Sequence, residues 1–277
     1  MSKSIKVFVL EGESKEDTII NMMSNCFFSS ENHIIINLPV SQNIYMLYLT
    51  LKKYDFEIDF IELLRSEIAS AEKALQGIKR QQIDQIYMFF DYDPQQKNLP
   101  NILDPYDVLR EMLGFFSDET DQGKLYLSYP MAEAIYDFKS DMCQAHTNCM
   151  YDVEELIAYK HNTGENNRLS SAHLQYEMWH KIINTFILRI KCLFEFDNIN
   201  YDEYVLNISP ENIFFKENEI INNKNNIFIL SAFPEFLLDY HKVDFWNRHY
   251  RKKRYSFIKC QRGRIKNNYL RVFSDIY

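Results

Sequence analysis

Two short apolar runs, each followed directly by acidic residues, constrain the fold of this chain most. Residues 6–10 (KVFVL) precede Glu11 and Gly12, and residues 86–90 (IYMFF) precede Asp91-Tyr92-Asp93. Each run is typical of a strand, and the first is followed by a helical pattern, which indicates an α/β fold. In an open α/β sheet, ligands bind beyond the carboxyl ends of the strands. Acids at these positions are therefore better placed for chemistry than acids on a helix face.

Further elements follow from apolar periodicity, Pro positions and capping residues. We predict strands at residues 5–10, 33–38, 86–90, 125–127 and 227–230. We predict helices at residues 14–27, 42–54, 60–79, 105–116 and 169–194, with one more starting near Pro234. Ser14 and Asp17 are expected to form a capping box at the first helix. The region 134–226 is mostly helical in pattern.

The composition indicates an ordinary globular chain of one elaborated domain or two small ones, with 277 residues and 46% hydrophobic content. No apolar stretch approaches the roughly 20 residues that a membrane span needs, and the N-terminus runs into a strand without a signal-peptide segment. We therefore expect a cytoplasmic protein. Its five cysteines are scattered and odd in number, which favours reduced thiols.

The net charge of −8 conceals a strong asymmetry along the chain. Residues 242–277 carry eleven Lys and Arg against two Asp, a net charge of +9, so residues 1–241 carry −17. Cations and aromatic rings alternate in this basic segment, which makes it a candidate nucleic-acid contact. An equally open interpretation is a cationic segment that docks on the acidic remainder of the protein or on a partner. The candidate nucleic-acid-binding residues are Arg251, Lys252, Lys253, Arg254, Arg262 and Arg264.

The acids at the two strand ends have the chemistry of a divalent-metal site. Mg²⁺ and Mn²⁺ prefer carboxylate oxygens and keep open positions for water and a phosphate substrate. Here the chain resembles the Toprim domain, which provides the metal site of topoisomerases, primases and nucleases related to the overcoming-lysogenization-defect family. Its signature of Glu-Gly after the first strand and Asp-x-Asp after a later one matches Glu11-Gly12 and Asp91-Tyr92-Asp93, and the resemblance covers roughly residues 5–133.

The resemblance implies a Toprim-like, mostly parallel sheet flanked by helices, with a helical insertion or second helical subdomain. Its expected parts are a metal-binding core (1–133), the insertion (134–226), a last strand and helix returning to the core (227–241) and the basic C-terminal segment (242–277). Glu11 would hold the metal or shuttle a proton, and Asp91 and Asp93 would ligate it.

The chain departs from the nuclease pattern at Lys15, where a second Glu is often found. The candidates to replace that acid are Glu13, Glu16 and Asp17. Glu133, just past a strand end, is a candidate additional catalytic acid, and its other interpretation is a solvated residue in the first turn of a helix. Glu235 is a candidate for a further acid.

The expected function is Mg²⁺- or Mn²⁺-dependent endonuclease activity on DNA or RNA, tRNA included. The resemblance also implies a role in anti-phage defence with an ATPase partner, and a homodimer stays open. No P-loop or dinucleotide-binding turn is present in the sequence, so any ATP chemistry belongs to another chain.

Three alternatives remain. One is a non-catalytic Toprim-like module that binds a partner protein or nucleic acid. Another is a nucleotide-sugar transferase that uses Asp-x-Asp to hold Mn²⁺, which leaves Glu11-Gly12 unexplained. The third is a haloacid-dehalogenase-type phosphatase, which Gln95 disfavours because that motif has Thr or Val at this position.

Overall fold

A five-stranded, mostly parallel sheet forms the centre of the molecule. The computed structural model describes residues 4–29, 33–138, 149–166 and 176–250. The strand order is β2-β1-β3-β5-β4, in which only β4 is antiparallel to its neighbour. The strands of this sheet are β1 (Ser4–Leu10), β2 (His33–Pro39), β3 (Ile83–Asp91), β4 (Ser117–Asp118) and β5 (Gly123–Ser128). The predicted α/β class with a mostly parallel sheet is therefore confirmed.

Helices connect and cover these strands. Those of the first half are α1 (Lys15–Phe27), α2 (Ile44–Lys52), α3 (Phe60–Glu67), α4 (Ala69–Ala74) and α5 (Pro105–Phe115). Those of the second half are α6 (Leu156–Asn166), α7 (Tyr176–Leu193), α8 (Tyr201–Asn207), α9 (Pro210–Lys224) and α10 (Ala232–His249). A 3₁₀ turn at Ala132–Tyr136 follows β5.

The central strands are apolar without alternation because both of their faces are buried. Consecutive residues 7–10 of β1 are fully inaccessible to solvent, as expected for parallel strands covered on both sides. On one face, Phe236 of α10 makes edge-to-face contacts with Phe8, Tyr87 and Phe89 at centroid distances of 5.5, 4.7 and 5.4 Å. This aromatic packing fixes α10 across β1 and β3.

Two local predictions in the first half were wrong. The helix predicted over 60–79 is divided into α3 and α4, because Ile68 adopts an extended conformation with φ −129° and ψ 107°. The capping box at α1 does not form. Ser14 makes no side-chain cap, and Asp17 instead accepts hydrogen bonds from Asn21 and Asn37.

The predicted last strand lies outside the main sheet. β7 (Asn226–Phe228) pairs antiparallel with β6 (Met150–Asp152) in a separate two-stranded sheet. A β-bridge connects this region to the core. The backbone amide of Tyr129 donates a hydrogen bond to the Leu230 carbonyl at 2.7 Å, and the Leu230 amide donates one to the Tyr129 carbonyl at 2.9 Å. The prediction failed because the short apolar run has no property that identifies which strand it pairs with.

Helix α10 contains a backbone kink. It packs on β5, β3 and α7, and His249 near its end contacts His180 of α7. The kink is at Lys242, which has φ 61° and ψ −152°. The predicted basic segment therefore starts within this helix, while Arg251, Lys252, Lys253, Arg254, Arg262 and Arg264 lie outside the described residues.

The cysteines differ from expectation. Cys149 and Cys192 are disulfide-bonded, whereas Cys26 is not in a disulfide. The expectation of reduced thiols throughout was therefore wrong, because the count and spacing of cysteines do not reveal which of them the fold brings together. Within the described ranges, no helix is both long and apolar enough to cross a membrane.

His249 makes the packing of α10 on α7 sensitive to acid. It is 1% exposed, neither ring nitrogen has a hydrogen-bond partner among the described residues, and its ring lies 4.3 Å from that of His180. Burial, then the charges of His180, Arg248 and His241, lower its pKa from 6.5 to about 4. The unfolded chain therefore binds a proton at a pH where the folded protein does not, and this difference opposes folding as the pH falls.

We expect the free energy of unfolding to decrease by roughly 2–3 kcal/mol through this residue as the pH falls from 6.5 to 4. Urea denaturation of the wild-type protein and of His249→Phe across this pH range measures the effect. The variant should lose less stability on acidification. Parallel pH profiles for the two proteins would show that His249 is not responsible.

Candidate functional site

Neighbouring parallel strands place Glu11 and Asp91 side by side. Leu10 pairs with Phe89 in the β1–β3 register, and the Glu11 amide continues the ladder by donating to the Phe89 carbonyl at 3.2 Å. The Glu11 carboxylate then accepts a hydrogen bond from the Asp91 amide at 3.0 Å through Oε2. Both acids thus lie at the carboxyl ends of adjacent strands, as the sequence predicts.

Asp91 is held by the segment that follows β5. Its Oδ1 accepts a hydrogen bond from the Ala132 amide at 2.7 Å, at the start of the 3₁₀ turn. Asp93 lies two residues beyond the strand, is exposed, and accepts a hydrogen bond from the Gln95 amide at 2.9 Å. Backbone amides thus engage one oxygen of Asp91 and one of Asp93.

Glu133 is a buried member of this acidic group. It is 4% exposed, and its Oε1 lies 2.6 Å from the Lys15 ammonium nitrogen. The interpretation of Glu133 as a solvated helix residue was therefore wrong. Lys15, which departs from the family pattern, is the cation that neutralises this added acid.

Among the proposed replacements for the missing second Glu, Glu16 is the one that joins the acidic group. A Cβ atom added to Gly12 would approach Glu16 Oε2 at 2.7 Å, so the glycine leaves space for this carboxylate beside β1. Glu13 instead accepts a hydrogen bond from Ser41, and Asp17 is engaged by Asn21 and Asn37.

The carboxyl groups repel one another in a partly desolvated environment. The pKa of Glu11 is raised to about 7, mainly by burial and further by the charges of Glu16 and Asp93, although the Asp91 amide opposes the shift. Burial and then the charges of Glu11, Glu16 and Glu133 raise the pKa of Asp91 well above its usual value. Burial is also the largest cause of the raised pKa of Glu16. Negative charge is therefore concentrated here without full compensation.

A cavity of about 430 Å³ opens in front of the strand ends. We call it the strand-end cavity, and Glu11, Asp91 and Asp93 all line it. Two cations, Lys97 and Lys160, are also part of its wall. The other lining residues are Pro94, Gln95, Pro130, Met131, Leu156 and Ile157. Its size is adequate for a small ligand or for part of a polymer.

The side chains are not arranged as a complete metal site. Within residues 4–29, 33–138, 149–166 and 176–250, no three His, Cys, Asp or Glu side chains converge as a set of metal ligands. The donor chemistry nevertheless fits a hard divalent cation, because Glu11, Asp91 and Asp93 offer only carboxylate oxygens and border one cavity.

The lining of the strand-end cavity excludes one predicted acid and includes two lysines that were not predicted. Glu235 is not among the residues that line the strand-end cavity, and lines a different one. Lys97 and Lys160 were missed by the sequence analysis. Lys160 comes from α6, whose approach to the strand ends depends on long-range packing that no local pattern in the sequence reveals.

Comparison with known proteins identifies no relative. No protein-family model matches the chain, and neither a curated protein nor a solved structure matches it.

Proposed function

We propose that this protein is a Toprim-type nuclease that hydrolyses phosphodiester bonds in DNA or RNA with a bound Mg²⁺ or Mn²⁺ ion. The observation that carries the proposal is the placement of Glu11 and Asp91 at adjacent strand ends, beside a cavity and close to further acids. Such a concentration of carboxylates is unfavourable unless a cation offsets its charge.

Glu11, Asp91 and Asp93 are the residues that would hold the metal. When bound, the ion would activate water and offset the charge that develops on the scissile phosphate. Glu16, next to Gly12, is the candidate for the second Glu of the family pattern. Glu133 is an additional candidate catalytic acid, although Lys15 neutralises it in the present arrangement.

Cationic residues supply the complementary contacts to substrate. Lys97 and Lys160 line the strand-end cavity, where their ammonium groups can contact phosphate oxygens. The six cations proposed at 251–264 would add sequence-independent affinity for a nucleic acid. This affinity matters because residues 1–241 carry a net charge of −17 and repel a polyanion.

The biological setting is proposed from the resemblance. In this setting the protein is a cytoplasmic effector of anti-phage defence. An ATPase partner controls it, because the chain has no ATP-binding motif of its own. A homodimer is also part of the proposal. Either DNA or tRNA is the proposed substrate.

The test is cleavage of plasmid DNA and of total tRNA by the purified protein with Mg²⁺ or Mn²⁺. We expect cutting that EDTA abolishes and that the double variant Asp91→Ala, Asp93→Ala loses at least about a hundredfold. Asp84→Asn is the matched control, because this exposed Asp is at the opposite end of β3 and should leave cleavage unchanged. Cleavage that persists in the double variant would disprove the assignment of the site.

A non-catalytic binding module is the second candidate, and the Lys15–Glu133 ion pair favours it. In this alternative Lys15 stays paired with Glu133, an acid that a nuclease would use. Wild-type protein would then bind nucleic acid or a basic partner without metal-dependent cleavage, and the Asp91→Ala, Asp93→Ala variant would bind equally well. Cleavage by the wild-type protein would exclude this alternative.

A further inference from the structure

A second cavity, of about 380 Å³, lies away from the strand-end cavity. We call it the aromatic cavity. It is bounded by β5, α5, α8, the start of α9, and α10. Lys124, near the start of β5, lines it, whereas Asp91 pairs with Ser128 at the other end of that strand. The two cavities share no lining residue, so the aromatic cavity is separate from the site of the proposed nuclease function.

The wall of the aromatic cavity combines rings with charged groups. Phe116, Tyr126, Tyr201 and Tyr204 supply the rings. The charged groups in the wall are Lys124, Glu211, Glu235, Asp239 and Lys242. A mainly apolar wall with a few polar groups is typical of a small-molecule site.

Glu235 is a buried acid in the wall of the aromatic cavity. It is 3% exposed, and its Oε1 is buried with no hydrogen-bond partner among the described residues. Burial, and then the charge of Asp239, raise the pKa of this carboxyl group well above its usual value. A buried acid in this state is costly, and a donor brought by a ligand would remove the cost.

The two nearby cations do not fill this role because they bind Asp239. Lys124 Nζ lies 2.5 Å and Lys242 Nζ 3.1 Å from the Asp239 carboxylate, which also accepts a hydrogen bond from the Tyr126 hydroxyl at 2.6 Å. The lining thus contains three carboxyl groups against two ammonium groups.

Another buried acid, Glu217, also has an oxygen, Oε1, without a hydrogen-bond partner among the described residues. It accepts a hydrogen bond from the Phe228 amide at 3.0 Å, and it does not line the aromatic cavity. Glu235 differs because it borders a cavity large enough for a ligand, and the wall of that cavity also contains aromatic rings, whose faces attract organic cations.

We propose that the aromatic cavity binds a small organic cation, namely an amine or amidine carried on a flat apolar body, with Glu235 as the counter-ion. The apolar body packs against the rings of Tyr126, Tyr201 and Tyr204. The cationic head pairs with the Glu235 carboxyl group, and the resulting ion pair is desolvated and therefore strong.

The proposal is tested with two probes of nearly the same shape, phenethylamine and its neutral analogue 2-phenylethanol. Their affinities for the full-length wild-type protein are measured by isothermal titration calorimetry at pH 7, with the fold of each variant checked by circular dichroism. We expect phenethylamine to bind at least tenfold more tightly than 2-phenylethanol. Glu235→Gln, which keeps the shape of the side chain, should reduce phenethylamine affinity at least tenfold.

Glu211→Gln is the matched control, because Glu211 lines the same cavity but is exposed. This variant should bind phenethylamine within about twofold of the wild-type affinity, since an exposed charge pair is weak. Equal affinities for the two probes, an equal loss in both variants, or no binding of phenethylamine to the wild-type protein would each overturn the proposal. The comparison of the two probes on the wild-type protein decides the question even if Glu235→Gln fails to fold.

Discussion

Replacing Arg189 with Ala is expected to destabilise the protein by about 3–5 kcal/mol, the cost of removing one member of a buried ion pair. Arg189 is 2% exposed, and its Nη1 donates a hydrogen bond to the Ile229 carbonyl at 2.6 Å. Its Nη2 lies 3.3 Å from the Asp137 carboxylate. The substitution therefore removes the partners of two polar groups and also leaves a void. Urea denaturation at pH 7 and 25 °C measures the loss.

The control for this experiment is Arg110→Ala. Arg110 also forms an ion pair, with Asp107 at 3.1 Å, but the two side chains are 55% and 60% exposed. Exposed pairs contribute at most about 1 kcal/mol, so this variant should remain close to the wild-type stability. Similar losses in the two variants would show that burial does not determine the contribution of Arg189.

Replacing Asp91 with Asn is expected to stabilise the protein in EDTA at pH 7 by about 1–2 kcal/mol and to abolish the proposed nuclease activity. The folded state raises the pKa of Asp91, so this residue stabilises the fold fully only below its ordinary pKa of 3.8 and less as the pH rises. Asn has no charge to repel Glu11 and Glu16, and its Oδ1 can still accept the hydrogen bond from the Ala132 amide. Thermal unfolding between pH 4 and 8 measures the difference, which should widen with pH.

Two further measurements make this prediction specific. Asp84→Asn, at the exposed opposite end of β3, should change stability by no more than about 0.5 kcal/mol. Adding Mn²⁺ should raise the melting temperature of the wild-type protein more than that of Asp91→Asn, because a ligand stabilises the state that binds it. A metal-free Asp91→Asn protein that is less stable than wild type would refute the idea of uncompensated charge.

The positions of Glu11 and Asp91 could be predicted from the sequence because each depends on a local signal. A short apolar run identifies each strand, and the parallel arrangement brings the strand ends to one edge of the sheet. The residues that follow each run then belong to that edge. Local apolar character similarly predicted the strands at 33–38 and 125–127, which the structure extends by one to three residues.

The remaining parts of the site depend on contacts between residues distant in sequence. Lys15 and Glu133 are 118 positions apart, and neither residue alone indicates that they form an ion pair. Lys160 reaches the strand-end cavity only because α6 packs on the 3₁₀ turn after β5. The pairing of β6 with β7 was missed for the same reason, since three-residue strands have almost no periodicity to analyse.

The bridge between Tyr129 and Leu230 has a consequence for how such a chain can change over evolutionary time. The chain leaves the main sheet after β5 at Tyr129 and returns beside Tyr129 at Leu230. One pair of backbone hydrogen bonds therefore holds both ends of the intervening segment. A segment closed in this way can lengthen, shorten or be exchanged at a small entropic cost, because the entropy of loop closure depends only weakly on loop length. The strand order and the acids at the strand ends can then be retained while the surrounding helices diverge.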